Sequence, residues 1–149
     1  MLRRADPENE MKVITDTIQF ATEGLNDIRD LTGPVGQRLA ANRLQNGTVT
    51  VFVPGSTAGL TTIEYEPGAL EDFGDLMERL VPSGGSYHHD RKWGDGNGFS
   101  HARAAMIGPS LTVPFSNGKL SLGTWQQIVF IDFDNRPRNR TLVLQFMGE

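Results

Sequence analysis

Cysteine is absent from the 149-residue chain. Its absence excludes disulfides, thiolate metal ligands and cysteine nucleophiles. Long apolar runs are also missing, because no segment approaches the roughly 20 residues that a membrane helix needs. No apolar segment follows Arg3 and Arg4, as a secretion signal would require. We therefore expect a cytoplasmic protein without a membrane partner.

The chain also has no excess of positive charge. The formal net charge is −4, so general attraction to nucleic acid or to anionic lipid is not expected. Hydrophobic residues make up 38% of the chain and charged residues 21%, which is typical of a folded protein. The polar, aperiodic residues 1–10 are predicted to be a disordered extension, and residues 11–149 to be a single domain.

Strand patterns outnumber helix patterns along the chain. The predicted strands are 12–20, 25–28, 48–54, 60–66, 110–115, 127–134 and 140–147. One helix is predicted to begin with Thr32 as its N-cap and to continue to Leu44, and a second covers 67–80. Mostly short connections indicate the α+β class, with a largely antiparallel β-sandwich and two main helices. The stretch SYHHDRKWGDGNGFSH (86–101) is predicted to be an irregular loop, followed by at most a short helix over 102–107.

All three histidines lie in that stretch, at His88, His89 and His101. Neutral imidazole is the commonest metal ligand, so a two-histidine, one-carboxylate site for zinc or iron is one interpretation. The carboxylates that could complete it are Glu64, Asp72, Asp90 and Asp95. A solvated loop whose histidines cap turns is the other interpretation. If the segment is extended, His88 and His89 point to opposite sides, so only one of them can share a site with His101.

Three further features also have two interpretations each. The small residues 55–59 could cradle an anion with backbone N–H groups, or simply connect two strands. Arg136, Arg138 and Arg140 cluster at a predicted hairpin tip, either as exposed charge or as a phosphate clamp. Trp125 is expected to anchor the core or an interface.

A longer pattern occupies the C-terminal part. GPSLTVP at 108–114, NGKLSLGTWQ at 117–126 and the terminal Gly148-Glu149 resemble the YjbQ family, also named secondary thiamine-phosphate synthase. The resemblance extends upstream and covers residues 11–149. Its upstream positions are STAGLT at 56–61, Glu64, Tyr87, His89-Asp90, Asn97 and His101.

The resemblance implies a YjbQ-like fold and a homotrimer with polar pockets near the subunit interfaces. It also implies a weak thiamine-phosphate synthase activity, which joins a hydroxymethylpyrimidine diphosphate to a thiazole phosphate and releases pyrophosphate. The matching polar positions, which we take as catalytic, are Glu64, His89, Asn97 and His101. We expect His89 and His101 to bind a divalent cation, zinc or magnesium, and His88 to be a bystander. Arg136 or Arg138, from a neighbouring subunit, is expected to bind the substrate phosphate.

Two positions depart from the family pattern. Many relatives carry a histidine where this chain has Gly55, and an asparagine where it has Ile63. The alternative to an enzyme is therefore a non-catalytic trimer that binds a small phosphorylated ligand or a metal ion.

Overall fold

The computed structural model describes residues 10–149. Its strands are β1 (Lys12–Thr22), β2 (Asp27–Asp30), β3 (Gly47–Phe52), β4 (Ala58–Ile63), β5 (Ser110–Ser116), β6 (Lys119–Leu120), β7 (Gln127–Asp132) and β8 (Arg138–Gly148). Its helices are α1 (Thr32–Ala41), α2 (Pro67–Leu80), α3 (His88–Trp93) and α4 (Gly98–Ile107). The predicted extension lies, apart from Glu10, outside the described residues. Over residues 10–149, every helix is too short or too polar to cross a membrane.

The strands form two antiparallel sheets. One has five strands in the order β1-β8-β3-β5-β6, and the other has three in the order β2-β7-β4. Each strand pair is antiparallel. The predicted α+β class with a largely antiparallel sandwich is thus confirmed.

Strand β7 lies at the centre of the fold because both of its faces are apolar. Ile128 and Phe130 pack into the core shared with the five-stranded sheet. Val129, Ile131 and Phe133 pack into a second core with residues of α2 and α4. The protein therefore has three layers, which are the large sheet, the small sheet and a helical layer.

Arg103 holds α4 in the helical layer. The side chain is 2% exposed, yet it donates to Glu78 Oε2 at 2.7 Å, to the Val81 carbonyl at 2.9 Å and to Asn26 Oδ1 at 3.0 Å. A buried guanidinium is tolerated only when its N–H groups are satisfied in this way. These bonds fix α4 to the end of α2, and so fix the helix that carries His101.

The prediction of an irregular loop at 86–101 was wrong, because this segment contains α3 and the beginning of α4. Gly94 ends α3 in the left-handed conformation, with φ 70°, which glycine adopts at little cost. The N–H of Gly98 donates to Asp90 Oδ1 at 2.7 Å, so α4 is capped by a side chain of α3. Residues 10–149 thus contain four helices, where the sequence predicted two main helices and at most a short one over 102–107.

Smaller differences concern the ends of elements and one exposed side chain. Helix α1 ends at Ala41 rather than at Leu44. Thr32 is its first residue, and the Thr32 hydroxyl accepts from the Ile128 N–H at 2.9 Å instead of capping the helix. Strand β4 ends at Ile63, so Glu64 follows the strand. Trp125 is 72% exposed, so it is not part of the core. Of its two interpretations, the interface anchor is the one that is left.

Candidate functional site

His89 and His101 face each other across the junction of α3 and α4. Their ring centroids are 4.5 Å apart and their planes are inclined by 40°. Both residues are half-buried. The turn between the two helices contains Gly94 and Gly96, both at positive φ, and this tight reversal brings the imidazoles into contact.

Two carboxylates approach His89. Its Nδ1 atom lies 3.3 Å from Asp95 Oδ1 and 3.6 Å from Asp90 Oδ1. This Nδ1 is buried but makes no hydrogen bond to any residue from 10 to 149. The three side chains offer one nitrogen and two oxygens within 4.8 Å of one another. Such a group can hold a cation.

Asn97 lies between two carboxylates. In one orientation the Asn97 amide donates from Nδ2 to Asp134 Oδ1 at 3.4 Å. With the amide turned over, Nδ2 donates to the two oxygens of Asp95 at 3.2 and 3.3 Å. The latter pairing is better, because otherwise the amide oxygen faces the Asp95 oxygens, and two acceptors repel each other.

Behind Asn97 lies a buried network of two acids and two arginines, which we call the floor network. It consists of Asp132, Asp134, Arg138 and Arg140. Arg140 forms two bonds of 2.8 Å to Asp132, and Arg138 Nε donates to Asp134 Oδ2 at 2.7 Å. Asp132 and Asp134 are fully buried. Paired bonds of this kind are strong and directional.

Two threonines complete the floor network. Thr22 Oγ1 donates to Asp132 Oδ2 at 2.6 Å, and Thr57 Oγ1 donates to Asp134 Oδ2 at 3.1 Å. Burial tends to raise the pKa of Asp134. Hydrogen bonds from Arg138 and from the Asn135 N–H, together with the Arg138 charge, outweigh burial and hold that pKa below its usual value. Asp134 is therefore a stable anion near neutral pH.

The helical junction and the floor network are joined. Asn135 Nδ2 donates to the Asp95 carbonyl at 2.8 Å, which ties the α3–α4 turn to the turn after β7. The site thus consists of a sheet-borne floor and a helical wall.

A cavity of about 250 Å³ opens beside His101. Its lining residues are Gly55, Ser56, Ala58, His101, Ala104, Ala105 and Pro109. The cavity brings the small loop after β3 together with α4. The binding role predicted for residues 55–59 is therefore geometrically compatible with His101.

Comparison with known proteins identifies the family. Residues 16–149 match the family model described as UPF0047 protein YjbQ-like. The chain belongs to the YjbQ family. The resemblance carried by GPSLTVP and GTWQ is thereby confirmed.

Similar curated proteins and solved structures cover between 80% and 94% of this chain. A UPF0047 protein of Archaeoglobus fulgidus is 43% identical over 119 residues, which are 80% of this chain and 90% of the relative. A UPF0047 protein of Methanothermobacter thermautotrophicus is 36% identical over 139 residues, or 93% and 95% of the two chains. The crystal structure of a YbjQ-like protein of unknown function from Sulfolobus solfataricus has a TM-score of 0.88 at 30% identity and covers 94% of this chain and 100% of its own. The crystal structure of a hypothetical protein from Aeropyrum pernix K1 has a TM-score of 0.80 at 34% identity and covers 90% of this chain and 99% of its own.

Glu64 does not lie with the histidines in this YjbQ chain. Ala58 pairs with Asp132, whereas Ile63 pairs with Gln127 at the other end of β4. Six residues of extended chain, about 20 Å, separate Glu64 from the floor network. A catalytic role for Glu64 stays a prediction, and it would require a site that a second copy completes.

Of the other predicted residues, one lies in the site and the rest lie outside it. Arg138 joins the floor network through Nε and keeps its side chain 34% exposed, while Arg136 is exposed on the turn after β7. Asp72 is exposed on α2, away from the histidines. His88 lies on the exposed side of α3 and accepts from Arg91, which agrees with its role as a bystander.

Sequence reasoning missed Asp132 and Asp134 as part of the site, and it named Arg140 only as exposed charge or as part of a phosphate clamp. The signal was available in FIDFD (130–134), where two acids alternate with fully buried residues. A carboxylate in such a strand must be paired, because an isolated buried charge is very costly. That argument predicts a buried partner, although it does not identify Arg140.

Proposed function

We propose that this YjbQ-family protein is a divalent-cation-dependent enzyme acting on small phosphorylated substrates. The reaction is that of a thiamine-phosphate synthase, which joins a hydroxymethylpyrimidine diphosphate to a thiazole phosphate and releases pyrophosphate. One observation carries the proposal. The buried Nδ1 of His89 lies 3.3 Å from Asp95, makes no hydrogen bond within residues 10–149, and belongs to a ring that contacts His101.

The donor atoms fit a cation of the zinc type. His89 offers nitrogen, and Asp90 and Asp95 offer oxygen, which zinc accepts readily, whereas magnesium prefers oxygen alone. His101 is a second imidazole beside this group. When bound, the cation would neutralise charge on the departing pyrophosphate.

The chain's own residues would orient the substrate and handle protons. The reaction forms a bond from the thiazole nitrogen to the methylene carbon of the pyrimidine and breaks the bond from that carbon to the diphosphate oxygen. The electron pair leaves with pyrophosphate, so a proton from the His101 imidazole would assist departure. Asn97 and the floor network would keep the site rigid, which favours orientation of the two substrates.

Metal content tests the proposal, with a matched histidine as control. We expect purified wild-type protein to contain a stoichiometric divalent metal by mass spectrometry. His89→Ala and His101→Ala should lose that metal and the formation of thiamine phosphate. His88→Ala should retain both, because His88 lies on the exposed side of the same helix.

Unchanged metal content and turnover in His101→Ala would overturn the assignment of that residue. Complementation of a strain that requires thiamine then tests the reaction itself. If the metal is present but complementation fails, the thiamine reaction is wrong and the cation site stands.

The second candidate is a non-catalytic protein that binds a small phosphorylated ligand or an ion. It is favoured by the distance between Glu64 and the histidines within one chain, and by Gly55, which provides no functional side chain. Ligand binding without turnover of either thiamine precursor would support it.

We extend the proposal to a homotrimer, supported by the outer face of the five-stranded sheet, on which Lys119, opposite Ser116 on the short edge strand β6, is the one charged residue among residues 10–149. On the side of the sheet opposite the core, the long strands carry no Asp, Glu, Lys or Arg. The outer-face residues are Val13, Thr15, Thr17, Gln19, Ala21, Thr48, Thr50, Phe52, Ser110, Thr112, Pro114, Ser116, Asn139, Thr141, Val143, Gln145 and Met147. Val13 and Met147 are 64% and 47% exposed. A face that includes exposed apolar side chains and carries little charge is typical of the buried centre of an interface.

A further inference from the structure

We infer that Gly55 leaves open an oxyanion subsite, in which Arg140 and His101 receive a phosphate group of the substrate. The subsite depends on the proposed function for the identity of that substrate. The geometry itself requires only a small anion bearing phosphate oxygens.

The hydrogen bonds of Arg140 leave one nitrogen available. A guanidinium has five N–H groups. The Nε group and one N–H of Nη2 bind Asp132, and the second N–H of Nη2 donates to Thr57 Oγ1 at 2.8 Å. Nη1 makes no hydrogen bond to any residue of the described part of the chain, although the side chain is only 11% exposed. The two N–H groups of Nη1 therefore lack a protein acceptor within residues 10–149, and the atom is accessible to solvent or to a ligand.

Nη1 is directed at Gly55. A Cβ atom added to Gly55 would lie 3.2 Å from Nη1, so the missing side chain leaves the guanidinium edge uncovered. Gly55 also lines the cavity of about 250 Å³ that contains His101 and Ser56. Pockets for whole drug-sized ligands begin at roughly 300 Å³, so this cavity suits one small polar group of a larger substrate.

The available groups favour an anion with phosphate oxygens. Asp132 binds the opposite edge of the Arg140 guanidinium, and Asp134 is paired with Arg138. Neither carboxylate therefore occupies the Nη1 edge. The groups around Gly55 can act as donors: Arg140 Nη1 faces Gly55 from one side, and Ser56 and His101 line the cavity that Gly55 borders. Arginine binds phosphate through charge-assisted hydrogen bonds of this kind.

Calorimetric titration of the full chain with inorganic phosphate and with pyrophosphate tests the subsite. Both titrations are made with EDTA present, so that binding does not depend on a metal. In Gly55→Asp, the new carboxylate would pair with Nη1 and occupy the subsite from within the chain. We expect the wild type to bind pyrophosphate and Gly55→Asp to lose about tenfold or more in affinity.

Gly84→Asp is the matched control. Gly84 is exposed, and a Cβ there would meet no atom within 4 Å, so this variant adds the same charge at a remote site. It should bind pyrophosphate like the wild type. Thermal unfolding of each variant confirms that it is folded, and Gly55→Ala, which adds only a methyl group beside Nη1, provides a milder second substitution.

Equal affinity in the wild type and Gly55→Asp would overturn the subsite, as would failure of the wild type to bind either anion. Metal-independent binding that Gly55→Asp abolishes, in a protein that contains no metal, would support the subsite and contradict the cation-dependent function. If the protein contains a stoichiometric metal and Gly55→Asp has no effect on binding, the cation-dependent function is supported and the subsite is contradicted.

Discussion

At the scale of single residues, Asp132 depends on hydrogen bonds that come from distant parts of the chain. It lies at the end of β7, and its acceptors are satisfied by Arg140 on β8 and by Thr22 on β1. Each of these hydrogen bonds goes to a buried carboxylate, and a hydrogen bond to a charged group contributes about 1.5–3 kcal/mol. The floor network is therefore sensitive to changes that leave its charges untouched.

Thr22→Val tests this sensitivity, because valine keeps the branched shape and removes only the hydroxyl. We expect the free energy of unfolding to fall by about 1–3 kcal/mol, measured by urea denaturation. Thr124→Val, in an exposed loop, should change it by less than about 0.5 kcal/mol. Equal effects of the two substitutions would contradict the importance of the bond to Asp132.

Single residues also mark what the sequence could and could not predict of the site. The clustering of His89 and His101 was sufficient to nominate both, and the structure brings them into contact. The partner of Asp132 was not predictable, because Thr22 is 110 positions away. No local pattern encodes which strand ends meet across a sandwich.

At the scale of elements, the clearest error was the stretch 86–101. Its glycines predicted a loop, yet they end α3 and begin α4. Asparagine is a common N-cap residue, and Asn97 stands at the N-cap of α4, but its side chain makes no capping bond and Asp90 on the preceding helix caps α4 instead. Helix α2 is capped by Glu66, the residue directly before it, and its bounds were predicted as 67–80.

That local cap gives a prediction with a defined pH dependence. The N–H groups of Gly68 and Ala69 donate to the Glu66 carboxylate and lower its pKa below the usual 4.5. A lowered pKa stabilises the folded protein above the ordinary value, and this stabilisation disappears as the pH falls through the folded value. Glu66→Ala should therefore lower the unfolding temperature at pH 7, and the difference from the wild type should shrink below about pH 4.

Glu71→Ala is the control on the same helix, because Glu71 is exposed and makes no hydrogen bond within residues 10–149. Its unfolding temperature should follow that of the wild type at each pH. A deficit in Glu66→Ala that persists undiminished at pH 3 would mean that the charged cap is not its cause.

At the scale of the whole molecule, the sandwich could be predicted because its strands alternate apolar and polar residues. The outer sheet face is less ordinary, since apart from Lys119 its polar positions are threonine, glutamine, asparagine and serine rather than charged residues. Within one chain, nothing explains why an exposed face carries so little charge. Burial of this face against other copies of the protein would explain it.

Sedimentation analysis tests this association with two matched glutamines. We expect a wild-type mass three times the chain mass of 16.4 kDa. Gln145→Glu puts a charge at the centre of the outer face, beside Thr15 and Thr50, and should give a smaller species, because burying an unpaired charge is costly. Gln37→Glu, exposed on α1, should keep the wild-type mass. A trimer unaffected by Gln145→Glu would exclude this face as the interface.

The position of Asp132 and Asp134, at the end of β7 and just beyond it, has a consequence for how a YjbQ protein can change. The floor network continues the strand that both cores share, so a substitution there disturbs both cores. The wall differs along its length, because α3 has no buried residue, whereas the first turn of α4 contains the buried Phe99. Residues on the exposed side of α3, such as His88, can therefore change without disturbing either core. Divergence within the family is expected to concentrate there, while His89 and the floor network stay the same.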